Sequence, residues 1–141
     1  MFEAFGKYSD FSGRASRSEY WLFQLLNTIV MGFALMMVLL GGGMEFRQDG
    51  GSGDLFLFGV ALVAFWALIS FVPHLAVSVR RFHDHGVSGW WYGGLMLFSL
   101  VPYVGLLASL ALLITMVRSG TWGPNYFGPD PVNPWRGLSV A

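Results

Sequence analysis

Long apolar stretches alternate with short polar ones along this chain. The first apolar run extends from Tyr20 to Leu40 and the second from Leu55 to Val79. The third, Trp90 to Val117, is interrupted by Pro102 and Gly105. As helices, the first two would measure roughly 31 Å and 37 Å, against a bilayer core of about 30 Å. The third would measure roughly 42 Å as one helix, too long without steep tilt, whereas a break at Val101-Pro102-Tyr103 gives two helices of roughly 20 Å. The pattern predicts an all-α membrane protein, a four-segment transmembrane helical bundle with segments at 20–40, 55–79, 90–101 and 103–117. The last two form a short helical hairpin broken at Pro102.

Polar positions inside and beside these runs refine the prediction. Ser16 and Glu19 have capping-box spacing and start the first helix. Tyr20 and Trp21 are interface anchors at its mouth. Gln24, Asn27 and Thr28 recur at i, i+3 and i+4, a face expected to point into the bundle, where hydrogen-bond partners exist. In the second run, Ala61, Ala64 and Ala67/Leu68 form a small-residue stripe suited to close helix packing. Pro73 cannot donate to the carbonyl of Ile69, so a kink is expected there, with Ser70 as a local partner for that carbonyl. His74 beside it reads as a neutral packing residue. Before the first run, Phe2, Phe5, Tyr8 and Phe11 repeat every three residues, as an interfacial helix or an aromatic-rich loop. The glycine-rich stretch 41–54 reads as an outer loop. The tail, 118–141, carries four prolines from Pro124 to Pro134 and cannot be helical. Its Trp122, Tyr126, Phe127 and Trp135 predict an irregular, aromatic and proline-rich C-terminal cap folded back on the bundle.

Composition supports lipid as the solvent. The chain is 55% hydrophobic and 11% charged, against about 25% charged in ordinary soluble domains. Zero net charge argues against a nucleic-acid partner. The absence of cysteine excludes disulfides and thiolate chemistry. The first run has no small-residue cleavage site after it, so it reads as an uncleaved anchor. The loop acids Glu45, Asp49 and Asp54 outnumber Arg47. Basic residues gather in the N-terminal segment 1–19 (Lys7, Arg14, Arg17), in the turn 80–89 (Arg80, Arg81) and in the tail (Arg118, Arg136). The positive-inside rule therefore places both termini in the cytoplasm.

Three polar stretches then fall on one side of the membrane. They are Phe11-Ser12-Gly13-Arg14-Ala15-Ser16-Arg17-Ser18-Glu19-Tyr20-Trp21, Arg80-Arg81-Phe82-His83-Asp84 with Gly86, Ser88, Gly89, Trp90 and Trp91 after it, and Gly123-Pro124-Asn125-Tyr126-Phe127-Gly128-Pro129-Asp130-Pro131. In this order they resemble the signatures of the YhaH/YhaI-like family of small bacterial inner-membrane proteins, a domain of unknown function. The resemblance covers about Phe5 to Pro131. His85 falls where that pattern is permissive. The resemblance implies a multi-pass protein of the bacterial inner membrane and no particular reaction.

The candidate chemistry lies in these stretches. Arg14, Arg17, Arg80 and Arg81 could converge on an anionic head group, because guanidinium offers two parallel donors to phosphate. Asn125 and Tyr126 would add donors, and Gly86 and Gly89 would admit backbone amides. The competing and favoured reading is structural: the arginines mark topology and pair with Glu19, Asp84 and Asp130, while His83 and Asp84 stitch the turn to the bundle. A metal site from His83, Asp84, His85 and Asp130 is disfavoured, because adjacent residues rarely face one ion. Ser88 with His83 lacks the setting of a hydrolase nucleophile. The expected function is a non-enzymatic accessory or scaffold subunit, or a lipid-interacting module. The expected partners are membrane lipids and a second copy or larger membrane assembly, with no cofactor. The alternative is a small oligomeric transporter or channel that uses Gln24, Asn27, Thr28 and the Pro73/His74 kink.

Overall fold

The computed structural model describes residues 6–45 and 54–134. Phe2, Phe5, Arg47, Asp49, Trp135 and Arg136 lie outside the described residues. Within them the chain forms four helices, α1 (Arg17–Glu45), α2 (Asp54–Asp84), α3 (Trp90–Phe98) and α4 (Val104–Val117). Helices α1 and α2 have 29 and 31 residues, roughly 43 Å and 46 Å. Both are long and apolar enough to cross a membrane.

Helix α1 starts where the capping pattern predicts. The Glu19 amide donates to Ser16 Oγ at 3.2 Å. The second half of a capping box is missing, because the Glu19 carboxylate turns instead to Arg80. Helix α2 runs past Val79, so Arg80, Arg81, His83 and Asp84 form its last turn and not the start of a loop. Nothing in those residues breaks a helix. It stops at Gly86, whose φ of +72° suits the left-handed residue that closes a helix C-terminus. There the amides of Gly86 and Val87 donate to His83 and Phe82 carbonyls.

The α1–α2 seam follows a 3-4 spacing. Glu19, Phe23, Ala34 and Gly41 are buried on one side, and Gly59, Ser70, Pro73, Val77, Arg80 and Asp84 on the other. This is the periodicity that keeps one stripe facing a neighbouring helix. A side chain on Gly59 would bring Cβ to 2.8 Å from the Val38 amide nitrogen, so the backbones meet closely there. The expected Ala61, Ala64 and Ala67/Leu68 stripe is instead exposed. It lies about half a turn from the seam, and the seam is pinned by polar pairs. Trp66 Nε1 donates to Asn27 Oδ1 at 3.0 Å, and Arg80 meets Glu19. Of the polar face expected on α1, Asn27 turns toward α2. Thr28 is exposed and donates back to the Gln24 carbonyl at 2.9 Å. His74 packs beside Phe23, ring centres 6.3 Å apart.

The N-terminal segment lies along α2. The Ala15 amide donates to the Arg80 carbonyl at 3.1 Å. Farther down, the Tyr8 hydroxyl donates to the Ile69 carbonyl at 3.0 Å, the acceptor that Pro73 leaves free. Ser70, expected to serve that carbonyl, donates to the Trp66 carbonyl instead, because a helical serine reaches four residues back. Helices α3 and α4, 9 and 14 residues long, form the hairpin expected around Pro102. Phe82, Tyr92 and Met116 form the buried cluster that fastens it to α2. The tail folds back over the polar end of the bundle.

Replacing Tyr8 by phenylalanine leaves the Ile69 carbonyl without its donor. A loss of about 1 kcal/mol is expected, read as a lower thermal midpoint in detergent. An unchanged midpoint would show that the carbonyl is satisfied without Tyr8.

Candidate functional site

The three polar stretches meet at one carboxylate. Arg81 and Asp84 stand three residues apart on α2 and therefore share a face. Arg81 Nη1 pairs with Asp84 Oδ2, and Arg81 Nη2 donates to the Arg118 carbonyl. From the N-terminal segment, Arg14 Nε donates to Asp84 Oδ1 at 2.9 Å, and Arg14 Nη2 lies 2.8 Å from the same oxygen. The rest of the Arg14 fork goes to the tail. It donates to the carbonyls of Thr121 and Gly123, both at 2.6 Å, and more distantly to Gly128. Arg14, Arg81 and Asp84 are all buried. The Asp84 carbonyl also accepts from the amide and hydroxyl of Thr121. Asp84 sits so tightly on Gly120 that a Cβ there would collide with its carboxylate.

One position earlier on the helix, Arg80 points about 100° away from Arg81 and toward α1. It is 1% exposed, with Nη1 2.8 Å from Glu19 Oε1. The two groups meet by charge and distance without an aligned hydrogen bond. His83 stacks flat on Phe127, ring centres 4.0 Å apart, and its Nδ1 faces the Gly13 carbonyl at 3.1 Å. His85 Nε2 faces the Thr115 carbonyl at 2.8 Å. The two rings are thus committed to different carbonyls. Asn125 donates to the His83 carbonyl and to Thr121 Oγ1, both at 2.9 Å. Asp130 accepts from the amides of Val132, Asn133 and Gly123, and the Val132 amide foremost holds its carboxyl below the usual range.

The four arginines do not converge on one point, and the favoured pairing with carboxylates is what forms for Arg14, Arg80 and Arg81. Arg14, Arg80 and Arg81 turn inward onto carboxylates and carbonyls, because a buried guanidinium must be paired. Arg17 is exposed and forms no salt bridge among the described residues. It lines a cleft of about 250 Å³ together with Arg14, Arg81, Asp84 and Asp130. Tyr126 is 97% exposed and does not line the cleft. Ser16, Ser119, Gly120, Thr121, Trp122, Val132 and Asn133 complete it. Sequence reasoning did not single these out for this role. The only cue was that the small polar run Ser119-Gly120-Thr121 follows an apolar helix.

Burial, then the nearby Arg81 charge, lowers the His85 pKa below its ordinary 6.5. A lowered histidine pKa means that protonation disfavours the folded state. The contribution is complete above about pH 6.5 and is lost as pH falls below it. The folded protein should therefore have a lower thermal midpoint in detergent at about pH 5.5 than at about pH 7.5. His85→Gln, which keeps a donor for the Thr115 carbonyl, should weaken that dependence. An identical pH dependence in both proteins would remove His85 from the explanation.

Comparison with known proteins agrees with this architecture. The family described as "Protein of unknown function (DUF805)" matches residues 8–129. The chain is 36% identical to the inner membrane protein YhaH of Escherichia coli strain K12 over 124 residues, 88% of each chain. It is 38% identical to the inner membrane protein YhaI of the same strain over 124 residues, 88% of this chain and 87% of that one. No solved structure matches. The matched region contains all three polar stretches except the last two residues of the closing one, and by its extent this chain belongs to the DUF805 family, to which its similarity to inner membrane proteins adds the setting.

Proposed function

We propose that this chain is a non-catalytic, multi-pass module of the bacterial inner membrane, with both termini in the cytoplasm. Its cleft at the cytoplasmic end takes the phosphate of an anionic lipid head group. The observation that carries the reading is the charge balance of the cleft. Arg14, Arg17 and Arg81 line it together with only two carboxylates, Asp84 and Asp130. One positive charge is left over, and Arg17 is the exposed guanidinium able to offer its fork to a phosphate. The orientation rests on the basic residues gathered at this end.

The groups that could act as acid or base are already occupied. Asp84 is shared by two arginines, His83 is stacked on Phe127, and His85 faces a carbonyl. This supports a binding role over catalysis. The transport reading draws less support, since Asn27 is held by Trp66 and Thr28 by its own helix, and neither lines the cleft.

The test is lipid selectivity in nanodiscs of mixed zwitterionic and anionic phospholipid. Spin-labelled phosphatidylglycerol should be enriched beside the wild-type protein, more so at low salt. Arg17→Gln should weaken that preference about tenfold, the loss of one charge-assisted contact. Equal preference in the two proteins would overturn the reading.

A further inference from the structure

We propose that the α3–α4 hairpin is a re-entrant wedge. It enters and leaves the bilayer at the end that carries Arg81 and Asp84, packs against acyl chains, and stops short of the opposite face. The inference does not depend on what the arginine cleft holds.

Both ends of the hairpin are tied to the same end of α2. At its start, Gly89 packs against Val79 and the Tyr92 ring lies 5.9 Å from Phe82. At its finish, the Thr115 carbonyl faces His85 and the Arg118 carbonyl accepts from Arg81. From that tie, the 14 residues of α4 descend at most about 21 Å, even if laid parallel to α2. The path along α2 from Arg81 to Asp54 is about 40 Å. Against a bilayer core of about 30 Å, the tip therefore passes the midplane but stops roughly 9 Å short of the opposite face.

The surface and the turn suit hydrocarbon. No charged residue occurs from Trp90 to Val117. Leu100 is 79% exposed and Tyr103 is 95% exposed, with Leu97, Leu106 and Leu107 also outward. A turn in lipid must satisfy its own backbone. Here the amides of Ser99, Leu100, Val101, Val104 and Gly105 donate to carbonyls of the hairpin, and Pro102 has no amide hydrogen. Among the described residues, this leaves the Tyr103 amide as the one turn donor without a backbone partner. Gly105 permits this closure, because a side chain there would collide with the Ser99 carbonyl. Exposed Trp90 and Trp91 stand at the mouth, the level at which indoles collect. Acyl chains are the occupant favoured by continuity, since the outer faces of α1 and α2 at these levels are also bare and apolar, as at Leu25, Ile29, Leu68 and Phe71.

The chain has no cysteine, so single thiols report position cleanly. Asp54→Cys and Asn133→Cys mark the two ends, and Leu100→Cys and Tyr103→Cys mark the tip. Intact spheroplasts and inverted vesicles are treated with a membrane-impermeant maleimide. The two end markers should label from opposite sides. Both tip thiols should resist from either side, label after denaturation in detergent, and form no disulfide-linked dimer on oxidation. Tip labelling from the Asp54 side would mean that the hairpin crosses. Tip labelling from the Asn133 side would mean that it lies on the surface. A cross-linked dimer would mean that a second copy covers the tip. Each of these results, like end markers that label from one side, overturns the proposal.

Discussion

The structure depends on one carboxylate held almost entirely out of water. Asp84 closes α2, and its two oxygens are divided between Arg14 and Arg81. Removing three charges from water costs several kcal/mol per ion. The cost is offset only while all three stay in register and the remaining guanidinium donors find carbonyls. Those carbonyls belong to Arg118, Thr121 and Gly123. The tail, which cannot form a helix of its own, is therefore folded by the arginines. The N-terminal segment is held by the same fork. The ion triad is thus a specification device: it selects one placement of two irregular segments on a helix end.

That arrangement separates the molecule into two regions with different physics. Toward Asp54, α1 and α2 meet through Gly59, Ala34 and neighbouring small residues, where close backbone approach and van der Waals contact replace the hydrophobic effect. Toward Asp84, in the cap, Arg14 and Arg81 are ion-paired to Asp84, while buried Arg80 is held to Glu19 by charge and proximity. The cleft lies on the boundary of this cap, where one guanidinium more than the local carboxylates require is turned outward. In the proposed function this surplus charge is what meets a lipid phosphate, so the folding device would supply the binding group without separate machinery.

Much of this was legible in the residues. The apolar runs, the Ser16 start, the break at Pro102 and the return of the tail all follow from patterns visible in the chain. The arginines, Glu19 and Asp84 were identifiable as a cluster from charge alone. Their partners were not, because more than half of the Arg14 and Arg81 contacts are to backbone carbonyls, which no side chain marks. Reading Arg80–Asp84 as a turn took charge for a loop signal, although Arg81 and Asp84 at i, i+3 are also a helical pair. The alanine stripe misled because spacing names a face without saying which face is inward. The seam was set by Trp66, Ser70, Pro73, Val77, Arg80 and Asp84, residues too dissimilar in chemistry to stand out as one stripe. The role of Tyr8 depends on a carbonyl 61 residues away, a distance that local reasoning does not span.

A double-mutant cycle between Arg14 and Asp84 tests the triad most directly. Arg14→Met, Asp84→Leu and the double variant are compared by proteolytic release of the tail in nanodiscs. If one carboxylate holds both segments, each single change costs several kcal/mol and the pair couples by about 2–3 kcal/mol. Additivity within about 0.5 kcal/mol would mean that the two residues act separately, and the account of the cap as an ion-specified fold would be wrong.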